Sequence, residues 1–449
     1  MNRSGCGDPS GVGRPAPRQP RRTAAAKMLR SAGAILAGAL LAGCSATTTG
    51  TPTTAPQGPD SGAIVALMDS GNYPTAAGKP FGVAGDDIGA GNVLEAHRLA
   101  EYTVGPWEID ADVKYLPGWL ELSLVGPIES PTVLRSNNVL AGDLPDIAQT
   151  HGFVAGFSTT RTSIPVNSQD PGQQRWLNMA VLRFPNPAAA AAAATEMAAK
   201  QPPPPGAPGG QSIPLPITPE GKAIKFPLPD NAEQVISFTA HGPYVVYVVA
   251  QTAFELLGKD AATLAGKATD LQKRRLAEFT PTDLAALRDL PLDPTGQLLT
   301  RTLIAPDGSA PFMIGVWNAR AWLHFETDPV LANALFSTAS VDVVSQRTTT
   351  VYRAANPDGA ARVADGLADH IGNFTDVHSI DGVAGLPAAK CYKRHLGALP
   401  STSAMTWQRV FWAFECVATV DRYAYTAFSA TEQDVRQQMA AQYRILAGQ

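Results

Sequence analysis

The stretch Val181-Leu182-Arg183-Phe184-Pro185-Asn186-Pro187 returns 170 residues later as Val351-Tyr352-Arg353-Ala354-Ala355-Asn356-Pro357, so that V-x-R-x-x-N-P occurs twice. A repeat at so long a period constrains the fold more than any single segment, because each copy must build the same local structure and bury the same kind of face. In both copies an apolar stretch runs into Asn-Pro. Asn is a good helix N-cap, since its side-chain oxygen accepts an otherwise unpaired N–H of the first turn; Pro is tolerated there because that turn needs no N–H from it. Helices are predicted over 188–200 and 359–371. Apolar and aromatic strands follow each one, near 233–240 and 244–251 in the first copy and at 390–396, 407–419 and 422–429 in the second. Each copy then closes with an amphipathic helix, over about 254–279 and over 431–446, the latter capped by Thr431. Alternation such as Ile236, Phe238 and Ala240 against Ser237 and Thr239 reads as half-buried antiparallel strands with one face covered by helices. The expected fold class is α+β: two tandem, duplicated α/β sandwich domains with antiparallel sheets.

A chain of 449 residues, 45% hydrophobic and 16% charged, exceeds what one core usually serves, which agrees with two domains. Residues 281–296, broken by Pro and Gly around a short helical piece, place their boundary near Pro291, giving an N-terminal domain over 61–290 and a C-terminal domain over 291–449. Residues 61–164 show no counterpart in the second copy; they hold a helical segment over 93–104, stopped by Gly105-Pro106. Residues 201–219, with Pro202 to Pro205 and later prolines, read as a solvated loop inserted in the first domain, or alternatively as a docking segment.

The N-terminus reads as an export signal. Residues 31–41 form an apolar run of about eleven residues, preceded by Lys27 and Arg30 and followed by Leu41-Ala42-Gly43-Cys44. Basic residues stay inside, the apolar run enters the translocon, and small residues before the cysteine suit the enzymes that lipidate and cleave there. Cys44 is then the acceptor for diacylglycerol and palmitate, and two or three acyl chains hold a protein on a bilayer far more firmly than one. The run is too short to span, and no later segment reaches the 18 or so apolar residues that spanning needs. Residues 1–43 are thus assigned to the signal peptide with an N-terminal extension, translation starting at Met28 being the alternative that would remove Cys6. Residues 44–60, rich in Thr, Pro, Gly and Ser, read as a lipidated flexible tether. The expected location is the cell membrane, lipid-anchored, on its extracytoplasmic face.

Most familiar chemistries find no support. The net charge of −4 leaves no basic face for a phosphate backbone, so no nucleic-acid partner is expected. Gly258-Lys259 and Gly266-Lys267 lack the rest of a P-loop, and Gly89-Ala90-Gly91 lacks the third glycine of a dinucleotide fingerprint, so it is read as a turn. No G-x-S-x-G, no S-x-x-K and no H-E-x-x-H occurs. The densest polar group is Asp365, Asp369, His370, Asp376, His378 and Asp381. Asp376, His378 and Asp381 offer oxygens and imidazole to a divalent metal, while a helix C-terminus and solvated loop accounts for the same residues. Paired carboxylates obey no sequence spacing and stay open. Cys391 and Cys416 lie on strands expected to be neighbours in an oxidising compartment, which predicts a disulfide. Trp407, Phe411, Trp412, Phe414, Tyr423, Tyr425 and Phe428 read mainly as core, with Trp407 and Phe411 as candidates for an apolar groove.

Three further stretches carry a family likeness. Asn72-Tyr73-Pro74-Thr75, Leu94-Glu95-Ala96-His97-Arg98-Leu99-Ala100-Glu101-Tyr102 and Pro106-Trp107-Glu108-Ile109-Asp110 resemble the opening of the DUF7373 family of mycobacterial and related actinobacterial lipoproteins, a likeness that extends through the repeat to the C-terminus. The resemblance implies an envelope lipoprotein. It carries over no catalytic residue and no cofactor. The function expected is therefore a non-enzymatic binding or accessory protein for an envelope lipid, a wall polymer or a protein partner. An envelope hydrolase with a carboxylate or histidine site, and a sensory subunit of a membrane complex, are the alternatives.

Overall fold

The computed structural model describes residues 62–116, 124–165, 174–229, 231–252, 260–308, 313–395 and 412–448. Cys44, Trp407 and Phe411 lie outside these. The first seven strands are Gly126–Ile128 (β1), Ala155–Thr162 (β2), Arg175–Arg183 (β3), Gln211–Ile213 (β4), Lys222–Pro227 (β5), Glu233–His241 (β6) and Tyr244–Thr252 (β7). They form one sheet in the order β1-β2-β3-β7-β6-β5-β4. The next seven, Gly315–Asn318 (β8), Val343–Gln346 (β9), Thr350–Arg353 (β10), Val377–Ile380 (β11), Lys390–Arg394 (β12), Phe414–Val420 (β13) and Tyr423–Ser429 (β14), form a second sheet. Its order, β8-β9-β10-β14-β13-β12-β11, is that of the first sheet strand for strand. All pairings are antiparallel. The fold is α+β, built twice.

The repeated motif performs the same task in both halves. Val181 and Val351 lie on the third strand of each sheet, and Asn186 and Asn356 cap the helices Pro187–Lys200 and Pro357–Gly372 by accepting the N–H of Ala189 and Gly359, each at 2.9 Å. The duplication reaches further upstream than the sequence suggests. β1 and β2 correspond to β8 and β9, so the later part of residues 61–164 does have a counterpart, hidden because little beyond topology survives in it. A pair of buried glutamines, 170 residues apart like the motif, makes the equivalence atomic. Gln272, in the helix Ala261–Leu276, accepts the N–H of Val104 and donates to the carbonyl of Tyr102, both at 2.8 Å. Gln442, in the helix Glu432–Ala447, accepts the N–H of Leu303 and donates to the carbonyl of Arg301, again at 2.8 Å. Each glutamine thereby ties a helix to the segment that leads into its half.

The strands are not half-buried as alternation predicts. Every residue of β2 is buried, and β3 and β7 are buried almost throughout. The reason is a second helical layer. In the first half, Ala190, Ala193 and Met197 of the helix Pro187–Lys200 pack on Leu182, Ile236 and Phe238, while Leu264, Ala265 and Ala268 of the helix Ala261–Leu276 pack on Val181, Val246 and Val248 from the opposite face. The second half repeats this with Val363 and Leu367 on Tyr352 and Val417, and with Val435 and Met439 on Val351 and Tyr425. Fully burying each Val, Leu, Ile, Phe or Met among them is worth about 1.5–3 kcal/mol, and each Ala less, which makes these layers the chief source of stability.

The helix near residue 93 begins earlier than expected, spanning Ile88–Ala100 with Asp87 as its cap. Gly89-Ala90-Gly91, read as a turn, is its first turn. Gly91 faces the backbone of Leu287, where a β-carbon would sit 3.0 Å from a carbonyl oxygen, so the glycine permits close packing and not a bend. The proline-rich stretch is less solvated than its composition suggests: β4 pairs with β5, Leu215 and Thr218 are buried, and Pro216 presses its carbonyl on Gly266. Residues ahead of the first helix cross to the second sheet, where Met68 joins the core of the helix Glu432–Ala447 and Tyr73 donates to Asp434 at 2.6 Å.

Candidate functional site

Cross-strand register brings one set of side chains to a single face of the second sheet. Thr350 pairs with Thr426 and with Gln346, Phe428 pairs with Glu415, and Tyr352 follows Thr350 by two residues. Directly paired residues share a face, as do residues two apart on a strand, so these six point the same way. Over them runs the segment from Trp322 to Thr327, joined by Met313 and by Leu116 and Val125. The partly open cavity between them measures about 250 Å³.

Its polar chemistry is acidic. Glu326 Oε1 accepts from the Trp322 indole at 2.6 Å and from the Tyr352 hydroxyl at 3.0 Å, while burial holds its carboxyl above the usual range. The Glu415 carboxyl makes no hydrogen bond or ion pair among the described residues. Burial pushes its carboxyl up to about 8, the charge of Glu326 adding to the shift and Arg394 opposing it. Two acids that share a poorly solvated space cannot readily ionise together. His324 also borders the cavity, but both ring nitrogens are committed elsewhere: Nδ1 lies 3.0 Å from the Thr159 hydroxyl and Nε2 lies 3.2 Å from the carbonyls of Ala100 and Thr103. Carbonyls only accept, so the proton sits on Nε2 and Thr159 donates to Nδ1. Burial lowers its pKa to about 4, with Arg161 contributing, and keeps the ring neutral.

Arg161, fully buried on β2, fixes the covering segment. Its Nη2 donates to the carbonyls of His324 at 2.7 Å and Glu326 at 3.0 Å, and its guanidinium lies 5.5 Å from the Trp107 ring centre. Burial draws this guanidinium down to about 9, opposed by Glu326 and Asp328. The first half thus positions a carboxyl that lines the cavity of the second. A second cavity, of about 290 Å³, opens beside the helix Ile88–Ala100. There His97 stacks on Trp317 at 3.8 Å, and burial lowers its pKa to about 3.

The metal candidates singled out from sequence fall elsewhere. Asp376 and Asp381 stand at opposite ends of β11, and an extended strand of that length holds its ends about 16 Å apart at 3.3 Å per residue. Asp376 pairs with Arg394 at 2.7 Å, His378 lies against His395, and the Asp381 carbonyl accepts from Arg436. They do not converge, and among the described residues no three His, Cys, Asp or Glu side chains are placed to hold a metal. Cys391 and Cys416 face each other across β12 and β13 and are joined as a disulfide. Phe428, read as core, lines the cavity instead. Glu415 had a signal that sequence reading passed over, a lone acid inside the apolar run Phe411-Trp412-Ala413-Phe414-Glu415-Cys416-Val417; Glu326 had none.

Among the described residues no helix is long and apolar enough to cross a membrane. No curated protein matches the chain. One solved structure, the extracellular domain of PknH from Mycobacterium tuberculosis, aligns over 40% of this chain and 96% of its own at 16% identity, with a TM-score of 0.27, a level from which neither fold nor function is concluded. Family models describe the rest: a domain of unknown function, DUF7373 N-terminal, matches residues 83–292, and its C-terminal partner matches residues 298–449. With both models matched over most of its length, the chain belongs to the DUF7373 family.

Proposed function

We propose that this protein is an envelope lipoprotein, tethered through Cys44 to the outer face of a bacterial cytoplasmic membrane, whose folded part binds a small envelope ligand without transforming it. The observation that carries the binding role is the partly open cavity of about 250 Å³ on the second sheet, apolar in most of its wall with a few convergent polar groups. The anchor rests on the basic, apolar and small-residue sequence that ends at Cys44. Native mass spectrometry of the lipidated chain, released from its own membrane, tests both. A diacylglycerol-modified Cys44 and one bound small molecule are expected, and the bound species is expected to vanish in Thr426→Trp, which fills the cavity. An unmodified Cys44→Ser chain partitioning into detergent as the parent does refutes the anchor, and absence of any bound species refutes the binding role.

The carboxyl pair favours a second reading, an envelope hydrolase. Such chemistry needs one carboxyl ionised while the other holds a proton. Here burial raises both, Glu326 already accepts two hydrogen bonds, and His324 is committed to Thr159 and the backbone, which is why binding is preferred. Turnover of wall glycans or esters that disappears in both Glu326→Gln and Glu415→Gln would reverse that preference. A sensory or accessory role in a membrane complex predicts co-purification with its membrane subunits.

A further inference from the structure

Resting on the binding role just proposed, the charge and wall chemistry of the cavity assign the class of ligand. We propose that the pocket takes an organic cation, an ammonium group on a small apolar body, held between the carboxyls of Glu326 and Glu415 and the aromatic walls of Trp322, Tyr352 and Phe428. Among the described lining residues there are two acids and neither lysine nor arginine. The nearest cations are turned away. Arg161 spends Nη2 on the carbonyls of the covering segment, and Arg394 pairs with Asp376 at 2.7 Å while lying over the rings of Trp412 and Phe374. The Glu415 carboxyl, without a hydrogen bond or ion pair among the described residues, is the group a ligand would complete. An anion entering this space is repelled as soon as either carboxyl ionises, whereas a cation draws out the ionised form and meets ring faces that attract it. The volume lies just below the usual range for whole small-molecule sites, which suits a headgroup-sized body.

The proposal has a thermodynamic signature. A cation favours ionised Glu415, so its binding expels the proton that carboxyl otherwise keeps near neutral pH. The titratable groups around it are Glu326, which repels its charge, Tyr352, which donates to Glu326, Tyr392, its cross-strand partner on β12, and Arg394, which attracts it from its pairing with Asp376. Neither the Arg394 guanidinium nor the tyrosine hydroxyls change charge between pH 6 and 7, so affinity for a cation is expected to rise up to about tenfold from pH 6 to pH 7, with release of up to one proton on binding.

Titration calorimetry of the full lipidated chain in nanodiscs, at pH 6 and 7 and in two buffers of different ionisation enthalpy, tests this with three probes of similar size: hexyltrimethylammonium, the neutral 3,3-dimethylbutanol and hexanoate. The cation is expected to bind, with proton release, and Glu415→Gln is expected to lose at least tenfold in affinity and all of the proton release while its thermal melt stays cooperative. Should that variant fail to fold, Phe428→Ala, which removes a ring face and no charge, is expected to weaken the cation and leave its proton release unchanged. Competition by vesicles of phosphatidylethanolamine and not phosphatidylglycerol assigns a lipid-borne ammonium, and absence of competition assigns a free one. Binding of the alcohol or hexanoate as tight as that of the cation, or cation binding untouched in folded Glu415→Gln, overturns the cation inference and leaves the binding role standing. If none of the three binds, the cation inference falls; the binding role falls only if native mass spectrometry also finds the pocket's ligand missing.

Discussion

Replacing Gln442 with methionine isolates the helix-to-segment tie that the two halves share. The side chain is fully buried and nearly isosteric with methionine, so packing changes little. Three partners lose their bond: the N–H of Leu303, the carbonyl of Arg301 and the hydroxyl of Thr349. Leu303 and Thr349 are fully buried, so water cannot replace what they lose. At about 1–3 kcal/mol for each buried polar group left unsatisfied, and less for the partly exposed Arg301 carbonyl, the expected loss is about 3–5 kcal/mol. Gln272→Met, with two partners of which only the Val104 N–H is fully buried, should cost about 2–3 kcal/mol by the same reasoning. Against a total stability of about 5–15 kcal/mol these are large effects, visible as a shift of the urea midpoint followed by tryptophan fluorescence with the slope unchanged. Losses below about 1 kcal/mol at both positions would refute the assignment of these glutamines as structural ties.

Reduction of the Cys391–Cys416 bridge, which closes a loop of 25 residues, is expected to lower stability by about 3–4 kcal/mol, and urea unfolding with and without reductant should show it. Asn186→Ala and Asn356→Ala each remove one cap bond and should cost about 1 kcal/mol, equally in the two halves, as measured by thermal unfolding. The Glu415 contribution to stability should fall as pH rises from about 4.5 to about 8, because unfolded chain releases the proton that folded chain retains; the fall governs the net slope above about pH 6.5, amounts in all to at most about 5 kcal/mol, less for a side chain partly open to solvent, and Glu415→Gln should flatten it. Below pH 6.5 the opposite slope comes from His97 and His324, which burial keeps neutral when folded and which take up protons when unfolded, so His324→Gln should weaken the acid limb of the same urea series.

Local chemistry made much of the fold legible. The Asn-Pro caps, the strands around residues 236, 246 and 425, the closing helix capped by Thr431 and the pairing of Cys391 with Cys416 follow from side chains acting on their own or the next element. The repeat showed that whatever forms once forms twice. Layering was not legible, since alternation reports how one strand prefers to lie and not whether a second helix will cover its polar face with Ser237 and Thr239 buried. Gly89-Ala90-Gly91 looked like a turn because composition cannot register that Leu287, far along the chain, needs the space. The cavity is the clearest case. Glu326 and Glu415 meet because β14 inserts between β10 and β13, and because Arg161 of the other sheet holds the covering segment in place. A carboxyl's protonation depends on what surrounds it in space, and those surroundings come from segments that only tertiary packing brings together.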